Sequence, residues 1–139
     1  MSVLVEPVHT GTLNGKPLRF FKAPLSGPHL PWHAPHDLHL CLGLGRDLRR
    51  DFRRRLQSSE WSKDIQTVAT SGGIVTIAPH WMAQGLIGSI IEMMGMSTQV
   101  EMAYAREAVS AWNAMMGDLP DQANLETMIA AFRNTNGIV

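Results

Sequence analysis

Apolar residues flank a turn sequence near the start of the chain. Those on its two sides are Val3, Leu4, Val5, Val8, Leu18, Phe20 and Phe21. The Asn14-Gly15 pair between them tolerates the positive φ angles of a tight turn. The pattern therefore predicts a β-hairpin over 2–23, and the four prolines within 24–35 predict an irregular connector after it.

A second hairpin is predicted over 64–78. Residues 65–70 and 74–77 are rich in β-branched side chains and lie on either side of Ser71-Gly72-Gly73. β-Branched residues favour strands, and a Gly-Gly pair favours the tight turn that joins them.

Many of the remaining apolar residues recur at the three- and four-residue spacing of helices. A short helix is predicted over 35–42, because a proline at residue 35 suits the first helical turn and an aspartate at residue 37 complements the helix dipole. A second helix, over 46–58, places Leu48, Phe52 and Leu56 on one stripe that we expect to be buried.

Three more helices are predicted over 79–94, 97–116 and 124–133. The first of them is apolar nearly all round, so we expect it to be buried on several sides. This half of the chain is rich in methionine, which packs in cores and also serves at adaptable interfaces. Surplus apolar surface on these helices favours a homodimer.

Together these elements predict one α+β domain over 1–139, long enough to bury a core. It has two β-hairpins, a helix pair with helix-turn-helix-like spacing and a helical C-terminal third. We divide it into a basic α+β part, 1–95, and a helical part, 96–139, which is a candidate dimerisation extension.

Composition restricts the class of protein further. Cys41 is the one cysteine, so no internal disulfide is expected and a reducing compartment is favoured. No run of about 18 apolar residues predicts a membrane span, and residues 1–10 lack the pattern of a secretory signal. The sequence favours a cytoplasmic protein with no membrane partner.

The net charge is zero, but the two halves of the chain differ in sign. Residues 1–70 carry ten Lys or Arg and six Asp or Glu, whereas residues 71–139 carry two Arg and six Asp or Glu. This split favours either a polyanion bound by the first half or attraction between the halves within a fold or a dimer.

The predicted second helix is the main candidate for function. Six arginines fall within ten residues: Arg46, Arg49, Arg50, Arg53, Arg54 and Arg55. Arginine binds phosphate oxygens bidentately and also reads guanine edges. The alternatives are a solvated face, in which Asp47 and Asp51 pair with arginines three or four residues later, and a face that docks on an acidic protein.

The candidate nucleic-acid-binding residues follow from this helix and from the second hairpin, which would act as a wing. They are Arg46, Arg49, Arg50, Arg53, Arg54, Lys63, Thr70 and Ser71. Hydroxyl groups of the wing, including those of Thr67 and Thr76, would contact the nucleic-acid backbone.

Histidines cluster at residues 29, 33, 36 and 39, close to Cys41. Spacings of three or four residues can place imidazoles on one helix face for zinc. Pro31 and Pro35 interrupt such a helix, so solvated or core-edge histidines are the favoured interpretation and no metal is predicted. Cys41 fits as a small apolar side chain.

The sequence has no Gly-rich phosphate loop, paired-carboxylate motif or nucleophile elbow, and it predicts neither an enzyme nor a cofactor.

The predicted order of elements is hairpin, short helix, second helix, hairpin and helix. This order, together with three short motifs, resembles the Bro-N domain of viral and phage antirepressor-type proteins over about residues 10–92. They are Leu18-Arg19-Phe20-Phe21, Asp37-Leu38 with Leu42-Gly43-Leu44, and Ile74-Val75-Thr76-Ile77 with Gly85-Leu86-Ile87. The resemblance implies a DNA-binding or repressor-modulating protein of phage or mobile-element origin. Residues 96–139 lie outside it, and it supplies no catalytic residue.

The sequence therefore predicts a nucleic-acid-binding regulatory protein, with DNA as the first expectation, RNA as a second, and a homodimer formed by the C-terminal helices. The alternative is a protein–protein interaction module, an inhibitor or antiactivator, whose arginine face docks on an acidic partner.

Overall fold

The first hairpin forms as its turn sequence predicts. In the computed structural model, which describes residues 3–117 and 119–136, β1 (His9–Leu13) pairs antiparallel with β2 (Lys16–Phe21). Asn14 and Gly15 between them have φ angles of 52° and 79°. Two successive positive φ angles match the right-handed twist of the flanking strands.

The first strand starts later than the sequence suggested. Residues 3–8 are not in a strand, and Val3 and Leu4 are 83% and 54% exposed. Pro7 has no amide hydrogen to donate to a ladder. The Val5 amide instead donates to the carbonyl of Ala69 at 2.8 Å, which links this segment to the second hairpin. Residue 2 lies outside the described residues.

The proline-rich connector contains a strand that the sequence did not predict. β3 (Trp32–His33) pairs antiparallel with β2, which gives a three-stranded sheet ordered β1-β2-β3. The backbone of His33 also exchanges hydrogen bonds of 3.0 and 2.9 Å with Ala78. β3 therefore connects the first sheet to the end of the second hairpin.

The two predicted helices after the connector are confirmed. α1 (Pro35–Cys41) begins with proline, and Gly43, with φ of 70°, follows its end. α2 (Arg46–Leu56) starts after Gly45. Asp37, in the first turn of α1, accepts hydrogen bonds from the Arg19 amide (3.0 Å) and from both sides of the Arg19 guanidinium (2.8 and 3.0 Å). This fork fixes α1 against β2.

The second hairpin is also confirmed. β4 (Gln66–Thr70) pairs antiparallel with β5 (Gly73–Ile77), after a short 3-10 helix, Ser62–Asp64. Val68 faces Val75 in this two-stranded sheet, and both are buried against Phe21 and Trp32 of the first sheet. The two hairpins therefore share one layer of core.

Three helices complete the α+β fold: α3 (His80–Met94), α4 (Gln99–Met116) and α5 (Asp121–Asn136). α5 starts three residues before the predicted bound. The N-terminal two-thirds of α3 carries its buried residues, but Met93 and Met94 are 67% and 53% exposed, so the expectation that the whole helix is buried was wrong at its end. α4 crosses β1 at Gly11, where an added Cβ would collide with the Glu107 side chain.

The main core lies between the first sheet and the helices α1, α3 and α4. Its largest buried members are Leu13, Leu18, Phe20, Leu38, Leu44, Ile87, Ile90 and Tyr104. A smaller cluster joins the connector to the C-terminal helices through Leu30, Trp112 and Ala131. Burying these side chains is the main favourable contribution to folding.

We predict that Asp37→Ala destabilises the protein by about 2–3 kcal/mol, because it leaves the Arg19 amide and guanidinium without their carboxylate. Urea unfolding followed by tryptophan fluorescence measures the change. Asp47→Ala is the matched control, since the Asp47 side chain is 83% exposed and its pair with Arg50 should contribute under about 0.5 kcal/mol. An equal loss of unfolding free energy in the two variants would show that the fork stabilises the protein no more than an exposed ion pair does.

Candidate functional site

The arginines of α2 form a face that is open to solvent. Arg46, Arg50, Arg53 and Arg54 are exposed and lie on or beside the side of the helix opposite Phe52. Arg49 is half-buried at the edge of this face. Its guanidinium donates a hydrogen bond of 2.8 Å to the carbonyl of Leu44, in the turn before the helix. We call these five residues the arginine face.

Acidic residues neutralise little of the arginine face. Asp47 lies 3.4 Å from Arg50, as the sequence suggested, but the two side chains are 83% and 48% exposed, and such a pair is weak in water. Within the described part of the chain, no ion pair joins Asp51 to an arginine of α2. The guanidinium groups of Arg46, Arg53 and Arg54 thus stay open to an anion.

The opposite side of α2 is less buried than expected. Leu48, Phe52 and Leu56 are half-buried, and α2 has no fully buried residue. The Phe52 ring lies 5.5 Å from the ring of His39, and the Arg55 guanidinium carbon lies 5.4 Å from the Phe52 ring centre. Arg55 therefore covers an aromatic ring at the end of the stripe.

A cavity of about 220 Å³ lies where α2 faces α3, and we call it the aromatic pocket. Three aromatic side chains line it, Phe52, Trp61 and Trp81, and the rings of Trp61 and Trp81 are 5.6 Å apart. The other lining residues are His33, Pro35, His39, Arg55, Leu56, Met82, Gly85, Leu86 and Ser89. Trp61 and Trp81 lie on either side of the second hairpin in the sequence, and no sequence pattern predicted that they meet.

Two buried histidines line the same pocket. Burial, with smaller contributions from the charges of His80 and His39, lowers the pKa of His33 to about 3. Burial, with the nearby charges of His36, Arg53 and Arg49, lowers the pKa of His39 to about 4. Both rings are neutral at pH 7, and Nδ1 of each has no hydrogen-bond partner among the described residues.

The histidines that cluster in the sequence lie in different environments. His33 and His39 are buried, His36 is exposed, and His29 lies 3.2 Å from the carbonyl of Ser26. Cys41 is buried beside the carbonyls of β2, and burial raises the pKa of its thiol to about 11. Within residues 3–117 and 119–136, no group of three His, Cys, Asp or Glu side chains is arranged to hold a metal ion.

The wing residues are less available than the sequence suggested. The Thr70 hydroxyl, 7% exposed as a residue, donates to the carbonyl of Gly73 and accepts from the amide of Gly72. It closes the turn and has no hydrogen left to donate to a ligand, contrary to the expectation. Ser71 is exposed, but the Glu6 carboxylate accepts hydrogen bonds from its amide and hydroxyl at 2.7 and 2.9 Å. Lys63 is exposed in the 3-10 helix.

No protein-family model, no curated protein and no solved structure matches this chain. Of the helices in the described part, none has both the length and the apolar character that crossing a membrane requires. The candidate site consists of the arginine face and the aromatic pocket.

We predict that acid weakens the fold because of the two pocket histidines. At pH 5 both rings are neutral in the folded protein, whereas an unfolded chain with ordinary histidine pKa values binds protons. The contribution of these two histidines to the free energy of unfolding is therefore fully present above about pH 6.5 and is lost as the pH falls toward 4. Each histidine should reduce the unfolding free energy by about 2 kcal/mol between about pH 7 and pH 5, as measured by urea unfolding.

Two variants of α1 isolate this effect. His39→Phe should reduce the pH dependence by about 2 kcal/mol over the same interval, because one proton-binding group is removed from the unfolded chain. His36→Phe, at an exposed position of the same helix, should change it much less. An identical pH dependence in the wild type and both variants would contradict the prediction.

Proposed function

We propose that this protein binds nucleic acid through the arginine face of α2. The observation that carries the proposal is the exposure of Arg46, Arg50, Arg53 and Arg54 on one side of one helix, where the described residues form a single weak ion pair with them. Planar guanidinium groups match phosphate oxygens bidentately, and phosphate contacts dominate affinity for nucleic acid.

The geometry of the rest of the site supports contacts from α2 more than from the wing. The Glu6 carboxylate beside Ser71 repels a phosphate at the β4–β5 turn, and the Thr70 hydroxyl is engaged within that turn. Lys63 stays part of the proposed surface because it is an exposed cation. Thr67 is exposed and Thr76 is half-buried, so the wing would make fewer contacts with the nucleic-acid backbone than α2 does.

The biological setting is a further part of the proposal. The Bro-N resemblance over about residues 10–92 supports a DNA-binding or repressor-modulating protein of phage or mobile-element type, and the single cysteine supports a cytoplasmic location. The order of elements expected from the sequence, together with the three short motifs, carries that resemblance. The competing function, an arginine face that docks on an acidic protein, is separated from it by the binding experiment below.

A homodimer is proposed from the C-terminal helices. α5 exposes Leu125, Ile129 and Phe132 at 56%, 46% and 47%, and their spacing of four and three residues places them on one face. A contiguous apolar stripe in water is typical of an interaction surface. A second copy of the chain would supply a matching stripe related by two-fold symmetry.

We predict that the double substitution Arg50→Ala with Arg53→Ala weakens nucleic-acid binding at least about tenfold in low salt, without unfolding the protein. Two lost phosphate contacts should also reduce the slope of log affinity against log salt by about 2. Fluorescence anisotropy with labelled oligonucleotides, between about 50 and 200 mM salt, measures both quantities.

The matched control removes the same charge elsewhere. Arg106→Ala with Arg133→Ala takes two exposed arginines from α4 and α5 and should leave the salt slope nearly unchanged. Equal slopes for the two double variants would reject the arginine face as the contact surface. A wild-type protein that binds polyglutamate but no oligonucleotide would instead favour the acidic-protein function.

We predict that Ile129→Asp makes the protein monomeric, because it places a charge in the centre of the apolar α5 stripe. Sedimentation velocity over a range of protein concentrations measures the mass. Glu126→Asp, at an exposed polar position of the same helix, should leave the dimer intact. A wild-type protein that sediments as a monomer at all concentrations would rule out the homodimer.

A further inference from the structure

The aromatic pocket is open along one line of α3. Trp81, Gly85 and Ser89 are spaced four residues apart, so they lie on one face of the helix, and all three line the pocket. A Cβ added at Gly85 would meet nothing within 4 Å. Gly85, Ser89 and Arg55 are exposed, and they form the rim through which solvent reaches the pocket.

The size and the walls of the pocket favour a flat aromatic occupant. A cavity of about 150 Å³ is enough to admit a benzene ring, and the aromatic pocket, at about 220 Å³, has room for one planar heterocycle. Trp61 and Trp81 offer ring surfaces for stacking, whereas the Phe52 ring already lies against His39 and Arg55, and His33 and His39 line the pocket without a charge.

Positive charge lies directly beside the pocket. Arg55 lines it, and Arg53, whose charge acts on His39, belongs to the arginine face. No lining residue carries a negative charge. An occupant with a flat ring attached to an anionic chain matches both features, because the ring is received by the pocket and the anions by the arginines.

From this juxtaposition we infer that the aromatic pocket receives one unstacked base of a single-stranded nucleic acid whose phosphates lie along the arginine face. The inference rests on the proposed function and makes it more specific, since a base within a duplex cannot reach a pocket of this kind without leaving its stack. Stacking of bases on aromatic side chains beside a cationic groove is a general mode of single-strand binding.

The test compares strands that have equal numbers of phosphates. The probes are an oligothymidylate, an abasic strand of the same length, a uridine RNA strand of the same length and a duplex of the same charge. The wild type should bind the oligothymidylate about tenfold more tightly than the abasic strand, since stacking one base is worth about one decade of affinity. Comparison of the DNA and RNA strands measures the combined effect of the 2′-hydroxyl group and the thymine methyl group.

Tryptophan fluorescence gives an independent readout. Trp61 and Trp81 are half-buried, whereas Trp32 and Trp112 are 7% and 1% exposed. A base that stacks in the pocket should quench the first pair, and an abasic strand should not. Trp81→Leu should remove much of the quenching.

A blocking variant keeps the test independent of folding defects. Gly85→Leu fills the rim from a helix position with open space around it, and leucine favours helix more than glycine does. It should abolish the preference for the base-containing strand and leave the salt slope unchanged. Gln84→Leu, at the adjacent exposed position outside the pocket, is the control and should keep the preference.

The outcomes separate the two proposals. Equal affinity for abasic and base-containing strands without quenching, or tighter binding to the duplex, would overturn the pocket inference and leave the arginine face standing. Absence of binding to every probe at low salt would overturn both. A base preference and quenching that Gly85→Leu removes and Gln84→Leu retains would support single-strand recognition by this pocket.

Discussion

The hydrogen-bonded fork between Arg19 and Asp37 determines where the candidate site is placed. α1 has seven residues and no side-chain cap at its start, so it is too short to be stable by itself. The Asp37 carboxylate accepts three hydrogen bonds from Arg19 on β2, which gives the helix a fixed position on the sheet. α2 begins only a few residues after α1 ends, and His39 of α1 lines the aromatic pocket. The arginine face and the pocket both depend on this fork.

The sequence predicted the turns and helix bounds that depend on neighbouring residues. It missed the pairings and contacts between residues that are distant in the chain. Asn14-Gly15, Pro35 and Gly95 define turns and helix bounds locally, so both hairpins and all five helices were found. β3 has two residues, too few to show a period, and its partners come from β2 and Ala78. The meeting of Trp61 with Trp81 depends on the whole intervening hairpin, so the arginine face could be predicted and the pocket beside it could not.

The half-buried stripe of α2 explains how the pocket stays open. Leu48, Phe52 and Leu56 have the spacing of a core-facing stripe, and a fully packed neighbour would have buried them. α3 instead presents Gly85 and Ser89 to the C-terminal end of this stripe, and these side chains are too small to fill the space. Burial keeps His33 and His39 neutral, and their Nδ1 atoms, which lack a hydrogen-bond partner among the described residues, destabilise the fold. Such a cavity is an unfavourable feature for stability alone.

The arginine face is unfavourable in the same sense. Arginines four residues apart, such as Arg46 with Arg50 or Arg50 with Arg54, repel each other along the helix. Arg53, Arg54 and Arg55 gain from the dipole at the helix C-terminus, but Arg46 lies at the N-terminus, where a cation is disfavoured. An anion bound across the face would relieve this repulsion, and a base in the pocket would cover its exposed aromatic surface. One chemical class of ligand, a strand with both phosphates and bases, would therefore compensate for both features at once.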